Sequence, residues 1–252
     1  MDIQMLRLVR HLERELAQYA YISHANQHGL SLNGDFTIQT DFLTYDNTVP
    51  QDIVMKWGRT LNQRSYDFSW PLMLGMQVSS DGTFANACGV YQPWMPLNGV
   101  RYNLATVYDH VAGAGKFFLN GVQLGAEQAW MQTSIFDGNE AVCVGTYDLG
   151  GGTQPTEGLD GCLGNLTVWG RKVGQPEILS NIGKVLTGNE PELRAFWPFN
   201  GDFLDRSPYA NHLTPVHNPT FETFTIPDPP ASLGVLDYHI HIVDGEATIT
   251  KE

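Results

Sequence analysis

Paired carboxylates are the first chemistry to look for, because glycoside hydrolysis needs two Asp or Glu side chains that converge across one sugar. On a β-strand such residues would stand at alternate positions of one face, and the sequence contains no Glu-x-Asp-x-Glu run. Asp35 and Asp41 flank a strand face that we expect to be wet, and Glu13 and Glu15 lie in the N-terminal segment. The sequence also lacks a Gly-x-Ser-x-Gly elbow, a phosphate-binding loop and a His-Glu-x-x-His motif. These features favour a protein that is not an enzyme, with a polysaccharide hydrolase as a weaker alternative.

Aromatic side chains in loops could bind glycans, because a sugar stacks on an exposed ring beside polar donors. The candidates are Tyr91, Trp94 and Trp130, together with Phe118 on the mixed face of a predicted hairpin. Large aromatic residues are also favoured at protein interfaces, so packing on the sheet edge or against another subunit is the alternative. The remaining tryptophans of interest, Trp57, Trp169 and Trp197, lie in strand-like runs and are expected in the core.

Two histidines near the C-terminus, His239 and His241, have the spacing of two zinc ligands on one strand face. No third ligand is evident nearby in the sequence. We therefore expect solvated histidines rather than a metal site.

The composition restricts the possible partners. Among 252 residues, 27 acidic and 14 basic side chains give a net charge of −13, which disfavours a phosphate backbone as ligand. No run of about 18 apolar residues predicts a membrane span, so a soluble chain is expected. The cysteines Cys88, Cys143 and Cys162 are too few for a disulfide scaffold, and buried free thiols are the preferred interpretation over a Cys143–Cys162 pair.

The N-terminal segment predicts an amphipathic helix over residues 3–19, because its apolar residues follow a 4-3-4-3 spacing: Met5, Val9, Leu12, Leu16 and Tyr19. Such a helix would pack on its own domain or join a short bundle between subunits. Charged residues such as Arg7, Arg10 and Glu13 interrupt any apolar core of a secretory signal. We therefore predict cytoplasmic synthesis, followed by a place on a virion or at the cell exterior.

From Gly34 onward the apolar period becomes 2, as in β-strands, with Phe36, Ile38 and Phe42 on one face. Asn120-Gly121 predicts a two-residue hairpin turn, in which Leu119 faces Val122 and Phe117 faces Leu124. Lys116, Phe118 and Gln123 would share the other, partly wet face. Further short strands are predicted at residues 52–57, 65–70, 72–78, 83–90, 101–108, 141–146 and 162–169. Many short strands with little helix indicate an all-β antiparallel sandwich.

Two further elements complete the expected organisation. Pro176 follows Gly174 at a predicted first helical turn, and Ile178 begins an apolar stripe. Residues 226–230 form a proline-rich linker, and residues 238–250 predict a hairpin that turns at Asp244-Gly245. An isolated hairpin is marginally stable, so this one should dock on its own chain or on a neighbouring subunit. The expected divisions are a helix over 1–20, a sandwich over 21–222, and a linker with a hairpin arm over 223–252.

Several phrases, taken in order, are similar to one family. They lie at residues 21–23, 29–38, 56–57, 63–66 and 80–83, and then at 104–109, 118–121, 161–169, 177–178, 196–201, 205 and 211–214. Together they resemble a laminin-G-like, concanavalin A-like lectin jelly roll, of the form common in phage and environmental bacterial surface proteins. The resemblance covers about residues 20–222 and implies two antiparallel sheets in a binding or adhesion module.

The same resemblance implies glycan, protein or calcium ligands, and the cluster of Asn200, Asp202, Asp205 and Asn211 lies where the family often places calcium ligands. Two positions depart from the family pattern. Where the family commonly has an acidic residue after Gly-x-Ile, this chain reads Gly161-Cys162-Leu163-Gly164, and His24 stands where Asp is common. Losing two carboxylates weakens a site for a hard cation, so Asp205 and Asn211 could instead hold a turn by hydrogen bonds.

These observations predict a non-enzymatic jelly roll that assembles through its terminal appendages, as a phage capsid decoration, fibre or tail protein. Its partners would be other protein subunits, in a homo-oligomer or a virion. The alternative is a lectin-like adhesin that binds polysaccharide, with or without calcium.

Overall fold

Two antiparallel sheets carry most of the chain. The computed structural model describes residues 2–10, 16–59, 62–146, 158–225, 238–243 and 246–251, the last two ranges for their backbone. The order of sheet A is β10 (Val122–Gln128), β9 (Ala114–Leu119), β8 (Tyr102–Asp109), β3 (Phe36–Thr44), β12 (Gly161–Trp169), β1 (Asp2–Leu8) and β15 (Thr220–Thr225). A further strand, β13 (Leu193–Trp197), pairs with the second half of β12. The order of sheet B is β14 (Thr214–Val216), β2 (Tyr19–Ile22), β11 (Val142–Val144), β4 (Gln51–Gly58), β5 (Gln63–Trp70), β6 (Leu74–Ser79) and β7 (Ala87–Gln92).

The main core lies between the two sheets, where alternate side chains of each strand meet. Sheet A contributes Phe36, Ile38 and Phe42 from β3, and sheet B contributes Tyr66, Phe68 and Trp70 from β5; all six are fully buried. The all-β jelly-roll prediction is confirmed.

A second apolar cluster covers the outer face of sheet A. Phe118 of β9 and Trp169 of β12 lie in it beside Ile178, which belongs to the single described helix, α1 (Gln175–Asn181). The predicted helix start is confirmed, with Gly174 at the N-cap and a proline in the first turn. The expectation of a wet face for Phe118 is wrong, because the helix and the segment after it cover that side chain to 2% exposure. Asp41 is buried for the same reason.

The N-terminal helix prediction is wrong for residues 2–8, which form strand β1, next to the edge strand β15 of sheet A. Leu6 pairs with Leu163 of β12 on one side and with Phe221 of β15 on the other. Ile3 and Met5 pack in an outer cluster, whereas Leu6 and Leu8 enter the main core. Tertiary pairing on both edges overrides a helical spacing of only two heptads. Residues 2–8 are therefore part of the sandwich, and residues 1 and 11–15 lie outside the described part.

Both predicted hairpins are present. In the first, Val122 pairs with Leu119 and Leu124 with Phe117, as the Asn120-Gly121 turn predicts. The second joins β16 (Tyr238–Val243) and β17 (Glu246–Lys251) as a two-stranded sheet of its own, with Val243 opposite Glu246. The side chains of His239 and His241 and the turn at residues 244–245 lie outside the described part.

Two further expectations concern the cysteines and the membrane. Cys143 lies in sheet B and Cys162 in sheet A, and both are buried free thiols, whereas Cys88 is a half-buried one. Among the described residues, no helix is long and apolar enough to cross a bilayer.

Candidate functional site

A cavity of about 510 Å³ lies on the outer face of sheet B, on the side away from the main core. Strands β4 to β7 form its floor, because residues that alternate with the core positions point outward. The lining residues are Pro50, Asp52, Trp57, Arg59, Arg64, Asp67, Ser69, Pro71, Gln77, Phe84 and Tyr91. This volume falls within the range of small-molecule sites in proteins.

Polar groups lie at the base of the cavity, three of them buried (Asp52, Asp67 and Ser69) and Gln77 half-buried. Asp67 of β5 and Gln77 of β6 stand directly opposite each other, and the Gln77 Nε2 donates to Asp67 Oδ2 at 3.1 Å. Asp52 and Ser69 face each other across β4 and β5 and are also buried. The two carboxylates come from different strands, so the register of the sheet, rather than any short motif, brings them to one cavity.

Tyr91 lies where two glycines leave room for its ring. Gly75 is its direct partner across β6 and β7, and a methyl group there would lie 3.0 Å from two ring carbons of Tyr91. A methyl group on Gly89 would lie 2.7 Å from the Gln77 side chain and 3.1 Å from the Tyr91 hydroxyl oxygen. The absent Cβ atoms therefore let the ring and the amide approach the backbone closely.

The Tyr91 hydroxyl remains a hydrogen-bond donor over the physiological range. Burial raises the pKa of this hydroxyl, and the negative charge of Asp67 raises it further. Within the described part of the chain, the hydroxyl has no hydrogen-bond partner, so it can donate to a ligand.

Phe84 stands on the loop between β6 and β7 and is 72% exposed. Hydrogen bonds hold this loop in one shape: Asp81 Oδ1 accepts from the backbone NH and the hydroxyl of Thr83, and Asp81 Oδ2 accepts from Asn86 Nδ2. The backbone of Gly82 donates to Ser79 Oγ at the base of the loop. The loop thus presents an apolar ring at the cavity without the ring being packed in the core.

Arg64 connects this loop to the neighbouring turn. Its guanidinium donates to the carbonyls of Gly82 and Arg59 and to Asn62 Oδ1, and lies 5.7 Å from the centre of the Phe84 ring. Through these contacts the guanidinium holds together the β4–β5 turn and the β6–β7 loop that carries Phe84. Arg64 is therefore a positioning residue of the cavity.

Of the predicted aromatic residues, Tyr91 alone lines this cavity. Trp94 packs edge-on against Tyr102 and Phe42, and its carbonyl accepts from the Trp70 indole. Trp130 is 77% exposed but does not line the cavity, and Phe118 is in the outer cluster. Trp57, expected in the core, packs in a small cluster with Met55, Ala141 and Cys143 at the cavity wall.

Phe84 and the cross-strand carboxylates were not predicted. An apolar residue directly after the Asp81-Gly82-Thr83 turn was the available signal for Phe84.

Three of the four predicted calcium ligands, Asp202, Asp205 and Asn211, instead hold turns and neighbouring loops through hydrogen bonds. Asp205 Oδ1 accepts from the backbone NH groups of Phe196 and Ser207, and its Oδ2 accepts from Ser207 Oγ and the Asn211 NH. Asn211 Oδ1 accepts from the His28 NH.

Asp202 pairs with Arg206, and its Oδ1 accepts from the Leu204 NH. Because intrachain donors occupy these oxygens, the cluster does not fit a calcium ion, which needs six or more oxygen ligands. No group of three acidic, histidine or cysteine side chains suits a metal anywhere in the described residues.

No family model matches the chain, and no curated protein matches its sequence. Many solved structures are similar in fold. A candidate carbohydrate-binding protein from Bacteroides ovatus aligns with a TM-score of 0.66 and 12% identity over 89% of this chain. The aligned part spans only 61% of the length of the B. ovatus protein.

Two smaller structures also align. The carbohydrate-binding module (CBM40) of the Ruminococcus gnavus IT-sialidase gives a TM-score of 0.54 and 17% identity over 72% of this chain and 99% of the module. A heptameric pentraxin from Limulus polyphemus aligns with a TM-score of 0.52 and 14% identity. The alignment covers 71% of this chain and 81% of the pentraxin chain. At such identities the likeness shows the fold alone. The chain therefore has the antiparallel jelly-roll sandwich fold that its sequence predicts.

Proposed function

We propose that this protein binds carbohydrate, without cleaving it, in the cavity on the outer face of sheet B. The observation that carries the proposal is the juxtaposition of the exposed Phe84 ring and the Tyr91 hydroxyl with the buried Asp67 and its half-buried partner Gln77. A sugar has an apolar C–H face and a rim of hydroxyl groups. Phe84 offers an apolar surface for the C–H face, and the polar groups offer hydrogen bonds to the hydroxyl groups.

The size of the cavity and the known neighbours support this assignment. A volume of about 510 Å³ has room for more than one sugar unit. The R. gnavus module is described in complexes with α2,3- and α2,6-sialyllactose, and the B. ovatus protein as a candidate carbohydrate binder. The expected role as a phage virion component depends on two terminal appendages, and one of them is the strand β1 of the sandwich. Carbohydrate binding, the alternative at the sequence level, is thus the better supported function.

Hydrolysis is the competing function, because the cavity does bring together two carboxylates, Asp52 and Asp67. Hydrolysis would need one carboxyl as the acid and the other as the base or nucleophile, whereas Asp67 already accepts from the Gln77 amide. Both carboxylates serve in our proposal as acceptors for sugar hydroxyls.

Phe84→Ala tests the proposal, with Trp130→Ala as its matched control. Both residues are exposed aromatics, at 72% and 77%, but only Phe84 lines the cavity. A glycan array selects a ligand for the unmodified protein, and isothermal titration compares the variants. We expect Phe84→Ala to weaken binding about tenfold or more, which corresponds to about 1.4 kcal/mol, and Trp130→Ala to leave it unchanged.

Three results would count against the proposal. Failure to bind any glycan on the array would refute carbohydrate binding, and equal losses in both variants would place the ligand elsewhere. Release of reducing ends from a bound oligosaccharide, abolished by Asp52→Asn or Asp67→Asn, would establish hydrolysis instead.

A further inference from the structure

The cavity on sheet B is a groove that follows β5 from one end to the other. Its lining includes Arg64, the second residue of β5, and Pro71, which directly follows the last one. At about 3.3 Å per residue, the distance along the strand between them is about 20 Å. Pro50 lies at the same end as Pro71, because the pairing of Gln51 with Trp70 brings the two prolines together. The inference that follows concerns this groove and rests on its proposed function.

Two rows of facing residues cross the floor of the groove. The first row consists, in the order of the strands, of Asp52, Ser69, Gly75 and Tyr91. The second row consists of Asp67, Gln77 and Gly89. Each row brings one buried carboxylate to the floor, beside other hydrogen-bonding groups. Polar groups therefore recur along the groove at the two-residue period of a strand, as suits a ligand made of repeating units.

The middle of the groove is buried and its two ends are exposed. Asp52, Asp67 and Ser69 are at most 6% exposed. Phe84, at the Arg64 end, is 72% exposed, and Pro71, at the opposite end, is exposed as well. A ligand that binds the buried polar groups can therefore continue past Phe84 in one direction and past Pro71 in the other.

The volume indicates how much of a ligand the groove holds. A cavity of about 150 Å³ takes one benzene molecule, which has six non-hydrogen atoms, so on that ratio about 510 Å³ takes on the order of twenty such atoms. This corresponds to about two hexose units of a chain. A groove that holds about two units between two exposed ends suits the interior of a longer chain better than a single terminal sugar.

The charges of the groove favour a neutral chain. Its lining carries two carboxylates, Asp52 and Asp67, and two guanidinium groups, Arg59 and Arg64. An acidic sugar in the buried middle would lie beside both carboxylates, where like charges repel. The Arg64 guanidinium, in turn, donates to the carbonyls of Gly82 and Arg59. The net charge of −13 also repels polyanions. We infer that the groove binds the interior of a linear, neutral polysaccharide that runs along β5.

Calorimetric titration of the full chain with defined polymers tests this inference. The neutral probes are unsubstituted xylan, glucomannan and mixed-linkage β-glucan, and the acidic probes are polygalacturonate and alginate. We expect at least one neutral polymer to bind and both acidic ones to fail. More than two protein molecules should bind each polymer chain of known mean length, because a linear chain has only two ends. From the monomer to the trimer of the same sugar, the affinity should rise about tenfold or more.

A pair of proline variants tests whether the ligand extends along β5. Pro71→Ala removes apolar surface at the end of the groove opposite Phe84 and should weaken polymer binding several-fold. Pro93→Ala is the matched control, since Pro93 is an exposed loop proline that does not line the groove. Polymer binding should be unchanged in this control. Equal affinities of the two variants for the polymer would overturn the inference.

Other outcomes separate this inference from the proposed function. The inference fails, and carbohydrate binding stands, if the protein binds glycans of an array but none of the three neutral polymers. It also fails if no more than two protein molecules bind each polymer chain, if the monomer binds as well as the trimer, or if an acidic polymer binds best. Absence of binding to every glycan and every polymer would refute both.

Discussion

At the scale of single residues, the absence of a side chain at Gly75 leaves the space that the Tyr91 ring occupies. A Cβ on Gly75 would press on the Tyr91 ring at 3.0 Å, whereas a Cβ on Gly34 would meet no atom within 4 Å. Neither glycine has a positive φ, so the comparison isolates the effect of volume.

Gly75→Ala should therefore displace the Tyr91 ring and weaken glycan binding several-fold, while the protein stays folded. Gly34→Ala is the matched control and should leave the affinity unchanged. The measurements are glycan titration and the thermal midpoint of each variant. Equal affinity in the two variants would show that the position of Tyr91 does not matter for the ligand.

Lys56 is the most deeply buried cation of the described residues, with a side chain at 0% exposure. Its ammonium donates to Asp137 at 2.8 Å and to Ser31 at 3.1 Å. Burial lowers the pKa of this ammonium, and the hydrogen bond and charge of Asp137 oppose that change. Asp137 itself is more than half exposed.

The two partners should respond differently to substitution. Asp137→Ala leaves a buried charge without its counter-ion and should lower the free energy of unfolding by about 2 kcal/mol. Lys56→Met keeps most of the apolar stem and should cost less. In the Lys56→Met/Asp137→Ala variant, much of the loss should be recovered. Urea unfolding measures all three, and a double variant less stable than Asp137→Ala would contradict this account.

The same pair contributes to acid stability. Partial burial raises the pKa of the Asp137 carboxyl, but the hydrogen bonds from Lys56 and Ser31 and the charge of Lys56 lower it below its ordinary 3.8 overall. Because the folded value is the lower one, the stabilisation is present above about pH 4 and is lost as the pH falls through the folded pKa. Asp137→Asn should therefore flatten the fall of unfolding free energy with pH in that acidic window.

At the scale of elements, the sequence predicts correctly those turns and helix starts that depend on a few neighbouring residues. The Asn120-Gly121 turn sets the register of β9 and β10, and Gly174-Gln175-Pro176 begins α1, so both follow from a few neighbouring residues. The position of β1 was missed because its partners, β12 and β15, are distant in the sequence. The pairing of Asp67 with Gln77 and the covering of Phe118 likewise depend on which elements meet in the fold.

Deleting residues 1–10 should abolish the fold, because it removes the strand between β12 and β15 and with it Leu6 and Leu8 of the core. Deleting residues 226–252 should leave the thermal midpoint and glycan binding unchanged, since the last hairpin forms a sheet of its own. Circular dichroism during heating distinguishes the two. An unchanged midpoint after the first deletion would show that β1 is dispensable.

At the scale of the whole molecule, the sequence resemblance identifies the jelly roll, but not the faces that carry chemistry. The outer face of sheet A is largely covered by α1 and the segment after it, which leaves a small polar cavity. The outer face of sheet B is open and holds the larger one. We propose that the hairpin arm is where other subunits would attach, and mass measurement of the native protein before and after removal of residues 226–252 tests this.

The place of β1 has a consequence for how the chain acquires its structure. Leu6 lies between Leu163 and Phe221, so β1 leaves the ribosome well before either of its neighbouring strands has been synthesised. Contacts of such long sequence separation slow folding. The chain emerges at about 5–20 residues per second, and β1 must wait for more than two hundred residues before both of its edges are paired. Sheet A therefore cannot close until β15 has been synthesised, and until then one edge of β1 lacks its partner strand.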